Sequence, residues 1–252
     1  MMMQIDLNCD MGESYGNYVS GQDEFIMPYI SSCNIACGFH SGDPVTITKT
    51  IELALRNDVA VGAHPSYPDL QGFGRRVMNL TEEEIESCVL YQVSALKGMT
   101  ESLGGKLHHV KPHGALYNQA STDESTANAI VEAILKVDLN LILYAPDKST
   151  LAVIARKKGL KVRGEVFADR CYEDDLCLRS RTLDGAVLHK RDEVLAQLDL
   201  MIRKGAVKTF GGKEISITVQ TICLHSDTSG SAELAKEIHD FLISQNVEIT
   251  SD

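Results

Sequence analysis

The chain has 252 residues, 44% hydrophobic and 23% charged, a composition that builds a globular core and excludes a disordered, collagenous or coiled-coil description. Lys plus Arg number 24 against 35 Asp plus Glu, a net charge of −11 that repels phosphate backbones; with no Trp and 6% aromatics, nucleic acid is not the expected partner. No window approaches the roughly 18 apolar residues of a membrane span, and no basic stretch followed by an apolar run opens the chain, so the expected location is cytoplasmic.

In chain order the first strand is expected at 4–9 and the second at 32–37. A helix follows over 45–56, with Ile47, Ile51 and Leu55 on one stripe. Next come a strand at 59–63, a helix over 81–103 opened by Thr81 and three glutamates, and a strand at 107–110. Helices at 124–136, 148–158 and 191–204 then alternate with strands at 139–144, 160–167 and 215–224. The last helix, 231–244, carries Leu234, Ile238 and Leu242 in register. Such alternation predicts a parallel sheet with crossover helices, closed as a barrel or open and doubly wound. No linker, low-complexity tract or repeat interrupts it, so residues 1–252 read as one domain. The seven cysteines, an odd number without CxxC pairs, read as reduced thiols.

The polar residues that need explaining collect after the strand segments. Asp6, Asn8 and Asp10 alternate along the first strand and share one face. Two carboxylates there require a cation, a proton or several donors between them. The second strand ends at His40 in Gly38-Phe39-His40, before the helix start Asp43-Pro44; the third ends at His64-Pro65. Gly72-Phe73-Gly74-Arg75-Arg76 offers paired guanidiniums to an anion. Lys111-Pro112-His113 closes the fourth strand, and Glu165, Asp169 and Arg170 follow the sixth, with Arg179 and His189 beyond. His225-Ser226-Asp227-Thr228 leads into a helix whose N-terminus suits a phosphate. Polar groups at the carboxyl ends of strands are where parallel α/β folds build their sites. No P-loop, strand-linked GxGxxG, HExxH or GxSxG is present.

The segments 6–16 (DLNCDMGESYG), 34–44 (NIACGFHSGDP), 62–76 (GAHPSYPDLQGFGRR), 111–118 (KPHGALYN) and 165–172 (EVFADRCY) span most of the chain. They resemble the signatures of the LamB/YcsF family, that of the 5-oxoprolinase (ATP-hydrolysing) A subunits. The resemblance implies a (β/α) TIM-like barrel of the deacetylase type, incomplete or seven-stranded. It implies ATP-dependent opening of 5-oxoproline to L-glutamate, with ADP and phosphate, alongside partner subunits B and C. One loop departs from the pattern: His225-Ser226-Asp227-Thr228-Ser229 stands where His-Gly-Asp followed by a proline is expected, and a side chain at Ser226 narrows the backbone's approach to an anionic ligand.

Under this reading Asp10, His40, His64, His113 and Asp6 manage protons and water, and Lys111 steadies an anion. Arg75, Arg76, Glu165, Asp169, Arg170, Arg179, His225 and Asp227 bind substrate or phosphate. ATP is the co-substrate; there is room for a divalent metal, without a fixed protein-bound ion being expected. Two alternatives compete: a metal-dependent deacetylase-like hydrolase with Asp10, His40 and His64 as ligands and Asp6 as base, and a non-catalytic scaffold for the partners.

Overall fold

Seven parallel strands close on themselves. In a computed structural model that describes residues 2–188, 190–225 (His225 as backbone only) and 230–252, the elements run β1 (Met3–Met11), α1 (Asp23–Ile26), a 3-10 turn (Met27–Tyr29), β2 (Ser32–Ala36), α2 (Pro44–Arg56), β3 (Ala60–His64), α3 (Glu82–Ser102), β4 (Leu107–Val110), α4 (Gly114–Ala120), α5 (Glu124–Val137), β5 (Ile142–Ala145), α6 (Thr150–Lys157), β6 (Lys161–Phe167), α7 (Arg191–Lys204), β7 (Ala206–Lys208), β8 (Glu214–Ser216), β9 (Thr221–His225), α8 (Ser231–Ser244) and β10 (Val247–Ile249). The ring order is β1-β2-β3-β4-β5-β6-β9, and β9 pairs back to β1 through Asp6–Thr221 to Asp10–His225. The closed barrel is thus the correct branch of the two expected. β10 adds to the first residues of β1, outside the ring.

Local chemistry explains the borders. Asp43 caps α2, its carboxylate accepting from the Val45 and Thr46 amides, with Pro44 in the first turn. Thr81 and Glu84 form a reciprocal capping box on α3. Within 215–224 the sequence suggests one strand, but two form. β8 turns back to pair antiparallel with β7 beside the barrel, and β9 starts only after the Gln220 side chain has accepted from the Gly164 amide. Periodicity is blind to such a break, because both pieces alternate.

The pleat divides β1 cleanly. Leu7, Cys9 and Met11 lie fully buried in the apolar layer beneath the helices. Asp6, Asn8 and Asp10 point into the barrel, where they meet strands that are not their neighbours: Asn8 Nδ2 donates to Glu165 on β6 (3.2 Å) and Lys111, after β4, donates to Asp10 (2.9 Å). The interior is therefore polar. Asp6 accepts from Ser31, Ser32 and Thr221. Asn34 donates to Asn8 and Asp10 and accepts from His109 Nε2 (2.8 Å). His109 is accommodated because β3 offers no side chain at Gly62, where a Cβ would sit 2.0 Å from the imidazole. Burial, then His108 nearby, pushes His109 well below the usual histidine range, so it is a neutral donor to Asn34.

All seven cysteines are free thiols, five of them buried, as expected. Among the described residues no helix is long and apolar enough to cross a membrane.

Candidate active site

A cavity of about 740 Å³ opens at the carboxyl ends of the strands. Asp10, Glu13, His64, Lys111 and His113 line its floor, and Arg75, Glu165, Arg170 and Arg179 its walls. A shallower depression of about 460 Å³ near Lys161 and Arg163 has neither carboxylate nor imidazole in its lining.

Asp10 is held in place from below. Its Oδ1 accepts from Asn34 Nδ2 (2.9 Å) and Lys111 Nζ (2.9 Å), while Oδ2 lies 3.3 Å from His64 Nε2. Lys111 is only 2% exposed, and its ammonium also meets Glu165 Oε1 (3.1 Å) and Cys223 Sγ (2.8 Å). Burial alone would lower its pKa, but Asp10, Cys223 and Glu165 around it hold it well above the usual lysine range. The ammonium is thus spent on the protein's own carboxylates, so its part at the site is to fix Asp10 and Glu165 rather than to meet a ligand's anion alone. Tyr117 donates to the other oxygen of Glu165 (2.7 Å).

Three imidazoles stand together above this pair. His64 Nδ1 donates to the Lys111 carbonyl (2.7 Å), and His113 Nε2 to the Phe73 carbonyl (2.9 Å). His64 Nε2 and His113 Nδ1 are 2.9 Å apart. His40 stacks on His113, ring centroids 3.8 Å apart, with its Nε2 3.3 Å from Glu13 Oε1. Burial, then the neighbouring imidazoles, press both His40 and His113 well below the usual histidine range. The loop that carries the Phe73 carbonyl is tailored to them. Phe73 itself has φ 54, and a Cβ at Gly74 (φ 65) would come within 2.7 Å of His113 and 2.9 Å of His40.

Glu13, absent from the residues singled out in the sequence, is brought in by the turn after β1. The Asp23 carboxylate accepts from the Gly12 amide (2.8 Å), and the Ser41 hydroxyl donates to the Glu13 carbonyl. A signal was present in Asp10-Met11-Gly12-Glu13: an acidic residue just past a strand end and a glycine. Glu13, His40, His64 and His113 each present a ligand atom within 4.8 Å of the others, a set that could hold a divalent metal.

Other expected residues fall elsewhere. Asp6 sits two pleats below Asp10, 1% exposed and engaged by three hydroxyls, away from the cavity lining. Arg75 and Arg76 do not act as a pair: Arg75 lies over the Phe73 ring and lines the cavity, whereas Arg76 turns back to Asp69. Arg170 is buried and donates to the Ala186 and Arg179 carbonyls; burial and Arg181 lower its pKa to about 10. Arg179 reaches the wall while paired with Glu173 (2.6 Å) and stacked on Phe210. Asp169 is buried outside the lining, its carbonyl accepting from Leu188. His189, the His225 side chain and Ser226, Asp227 and Thr228 lie outside the described residues.

The motifs that build this mouth are shared along the whole chain. The model of the LamB/YcsF family matches residues 5–251. The chain belongs to the LamB/YcsF family. It is 46% identical over 250 residues to the 5-oxoprolinase A subunit of Alkaliphilus metalliredigens (strain QYMF), covering 99% of this chain and 98% of that one. To the 5-oxoprolinase A subunit of Acinetobacter baylyi (strain ATCC 33305 / BD413 / ADP1) it is 49% identical over 249 residues, with the same coverage. A solved structure, the lactam utilization protein from Thermus thermophilus, superposes with a TM-score of 0.94 at 40% identity, over 99% of this chain and 100% of that one. The family's barrel is thus the barrel described above.

Proposed function

We propose that this chain is the A component of a multi-subunit, ATP-dependent 5-oxoprolinase, opening the five-membered lactam of 5-oxoproline to L-glutamate with partner subunits B and C. The observation that carries the reading is kinship of 46% identity, end to end, with relatives named for that activity. The site suits the chemistry. A lactam holds its amine and carbonyl together, so ring closure enjoys a large effective molarity and hydrolysis must work against it. Transfer of the ATP γ-phosphoryl group to the lactam oxygen makes the ring carbon a better electrophile, and the group leaves as phosphate once water has added.

In this scheme Asp10, oriented by Lys111 and Asn34, takes the proton of the attacking water. Asp10 then returns that proton to the ring nitrogen as the C–N bond breaks, with His64 Nε2 3.3 Å from its Oδ2. Arg75 receives the substrate carboxylate or a phosphate at the cavity wall. Glutamate and phosphate should appear together, one for one, when this chain, subunits B and C, 5-oxoproline and ATP are mixed. Equal glutamate release from a mixture lacking this chain would overturn the assignment.

A further inference from the structure

We propose that the chain binds one divalent transition-metal ion at the barrel mouth through Glu13 Oε1, His40 Nε2, His64 Nε2 and His113 Nδ1. Backbone carbonyls decide where the ring protons sit. A carbonyl only accepts, so the Lys111 carbonyl fixes the proton of His64 on Nδ1 and the Phe73 carbonyl fixes that of His113 on Nε2. The remaining nitrogens, His64 Nε2 and His113 Nδ1, then face each other at 2.9 Å as two lone pairs, neither with a proton to give. Two carboxylates add to the same spot: Asp10 Oδ2 is 3.3 Å from His64 Nε2, and Glu13 Oε1 is 3.8 Å from His113 Nδ1. Lys111 already offsets Asp10, but the facing lone pairs of His64 and His113 repel at 2.9 Å unless a cation or a proton stands between them.

The spacing fits an ion. Bonds of about 2.1 Å place adjacent ligand atoms about 3.0 Å apart in an octahedron and about 3.4 Å apart in a tetrahedron. Three of the six separations here, 2.9, 3.3 (His40 Nε2 to Glu13 Oε1) and 3.8 Å, straddle those values, and all six lie within 4.8 Å, so a bound ion would draw the ligands slightly inward. The two ring–carbonyl bonds are the outer support that metal-bound histidines usually have. His40 closes the set from behind, and Glu13, His64 and His113 line the cavity, so the open face of the ion looks toward it. Three imidazoles to one carboxylate favour Zn²⁺, Co²⁺ or Fe²⁺ over Mg²⁺ and Ca²⁺, which prefer oxygen. The ligand set differs from the Asp10–His40–His64 triad weighed in the sequence: Asp10 Oδ1 is committed to Lys111, and Glu13 and His113 take its place.

The full-length chain, stripped with a chelator, should take up one equivalent of Zn²⁺ by titration calorimetry and melt at a higher temperature once loaded. Co²⁺ should give the visible d–d bands of a nitrogen-rich site. His64→Gln and His113→Gln should each weaken Zn²⁺ binding by about 100-fold or more, and the near-isosteric Glu13→Gln by about 10-fold. Either of two results overturns the site: a stripped wild-type chain that takes up no Zn²⁺, which leaves a shared proton between His64 and His113, or uptake unchanged in all three variants, which places the ion elsewhere. Uptake of Mg²⁺ in preference to Zn²⁺ overturns the proposed class. The wild-type measurements need no variant to fold, and metal uptake is read without glutamate release, so failure here is separable from failure of the lactamase reading.

Discussion

The two ends of the barrel interior are built from the same residue types and differ in how far those residues are satisfied. Below, Asp6, Asn8, Asn34 and His109 are linked directly or through the Ser32 and Thr221 hydroxyls, each of these bonds running from a donor to an acceptor. Above, His64 and His113 aim acceptor at acceptor, with Asp10 and Glu13 beside them. A buried polar network whose members satisfy one another specifies structure; one that does not is poised to receive something from outside. Position along the strand decides which: two pleats separate Asp6 from Asp10, and one is sealed by β2 and β9 hydroxyls while the other faces the cavity.

The sharpest way to break this contrast is to neutralise the two carboxylates in turn. Asp10→Asn should cut kcat of the assembled enzyme about 10²–10⁴-fold, the usual range for a lost general base. Asp6→Asn should instead cost about 2 kcal/mol of stability, through misaligned partners, with kcat of the folded protein within about twofold of wild type. Denaturant unfolding and steady-state glutamate release, run on both variants, decide it. Equal losses of kcat would erase the division between plug and site.

That division was only partly legible in the sequence. Alternation along Asp6-Leu7-Asn8-Cys9-Asp10 correctly places three polar side chains on one face, and the apolar runs locate all seven barrel strands. Period-2 patterning carries no depth, however, so Asp6 and Asp10 look equivalent until the flanking strands supply Ser32 and Thr221. Arg75 and Arg76 look like a pair for the same reason: only the fold reveals Asp69 beside the second. Four short elements, α1, α4, β7 and β10, escaped notice because three to seven residues give too few periods to read. Glu13 escaped because its place depends on a turn held by Asp23 and Ser41, contacts with no sequence spacing of their own.

Asp23 is an intermediate case and sharpens the comparison through pH. Its Oδ2 accepts from the Gly12 amide, while Oδ1 is buried with no hydrogen-bond partner. Burial dominates, lifting the carboxyl from 3.8 to about 6 despite the backbone bond. A carboxyl raised on folding contributes fully below its unfolded value and loses that contribution as pH climbs through the folded one. This residue should therefore remove about 3 kcal/mol of stability between pH 4 and about 6.5. Asp23→Asn should lack that decline, so the wild-type-minus-variant difference in unfolding free energy should fall with pH across this window. A flat difference would mean that folding does not raise the Asp23 carboxyl, so that the turn presenting Glu13 is held by a carboxylate across the whole of this window.

The smallest effect separates the adjacent arginines. The Arg76 side chain is 65% exposed and already engaged by Asp69, which also accepts from the Gly72 amide. Removing it leaves that carboxylate a backbone donor and leaves the cavity lining intact, so Arg76→Ala should change KM for 5-oxoproline less than about twofold. Arg75 lines the cavity and, if it meets the substrate carboxylate, its loss removes a charge-assisted bond: Arg75→Ala should raise KM about 10-fold and Arg75→Lys less, since an ammonium keeps the charge but not the bidentate fork. Identical KM values for the two alanine variants would remove Arg75 from the binding wall and leave Lys148, Arg170, Arg179 and Arg181 as its cations, of which Arg170 and Arg179 already donate to carbonyl groups of their own loop.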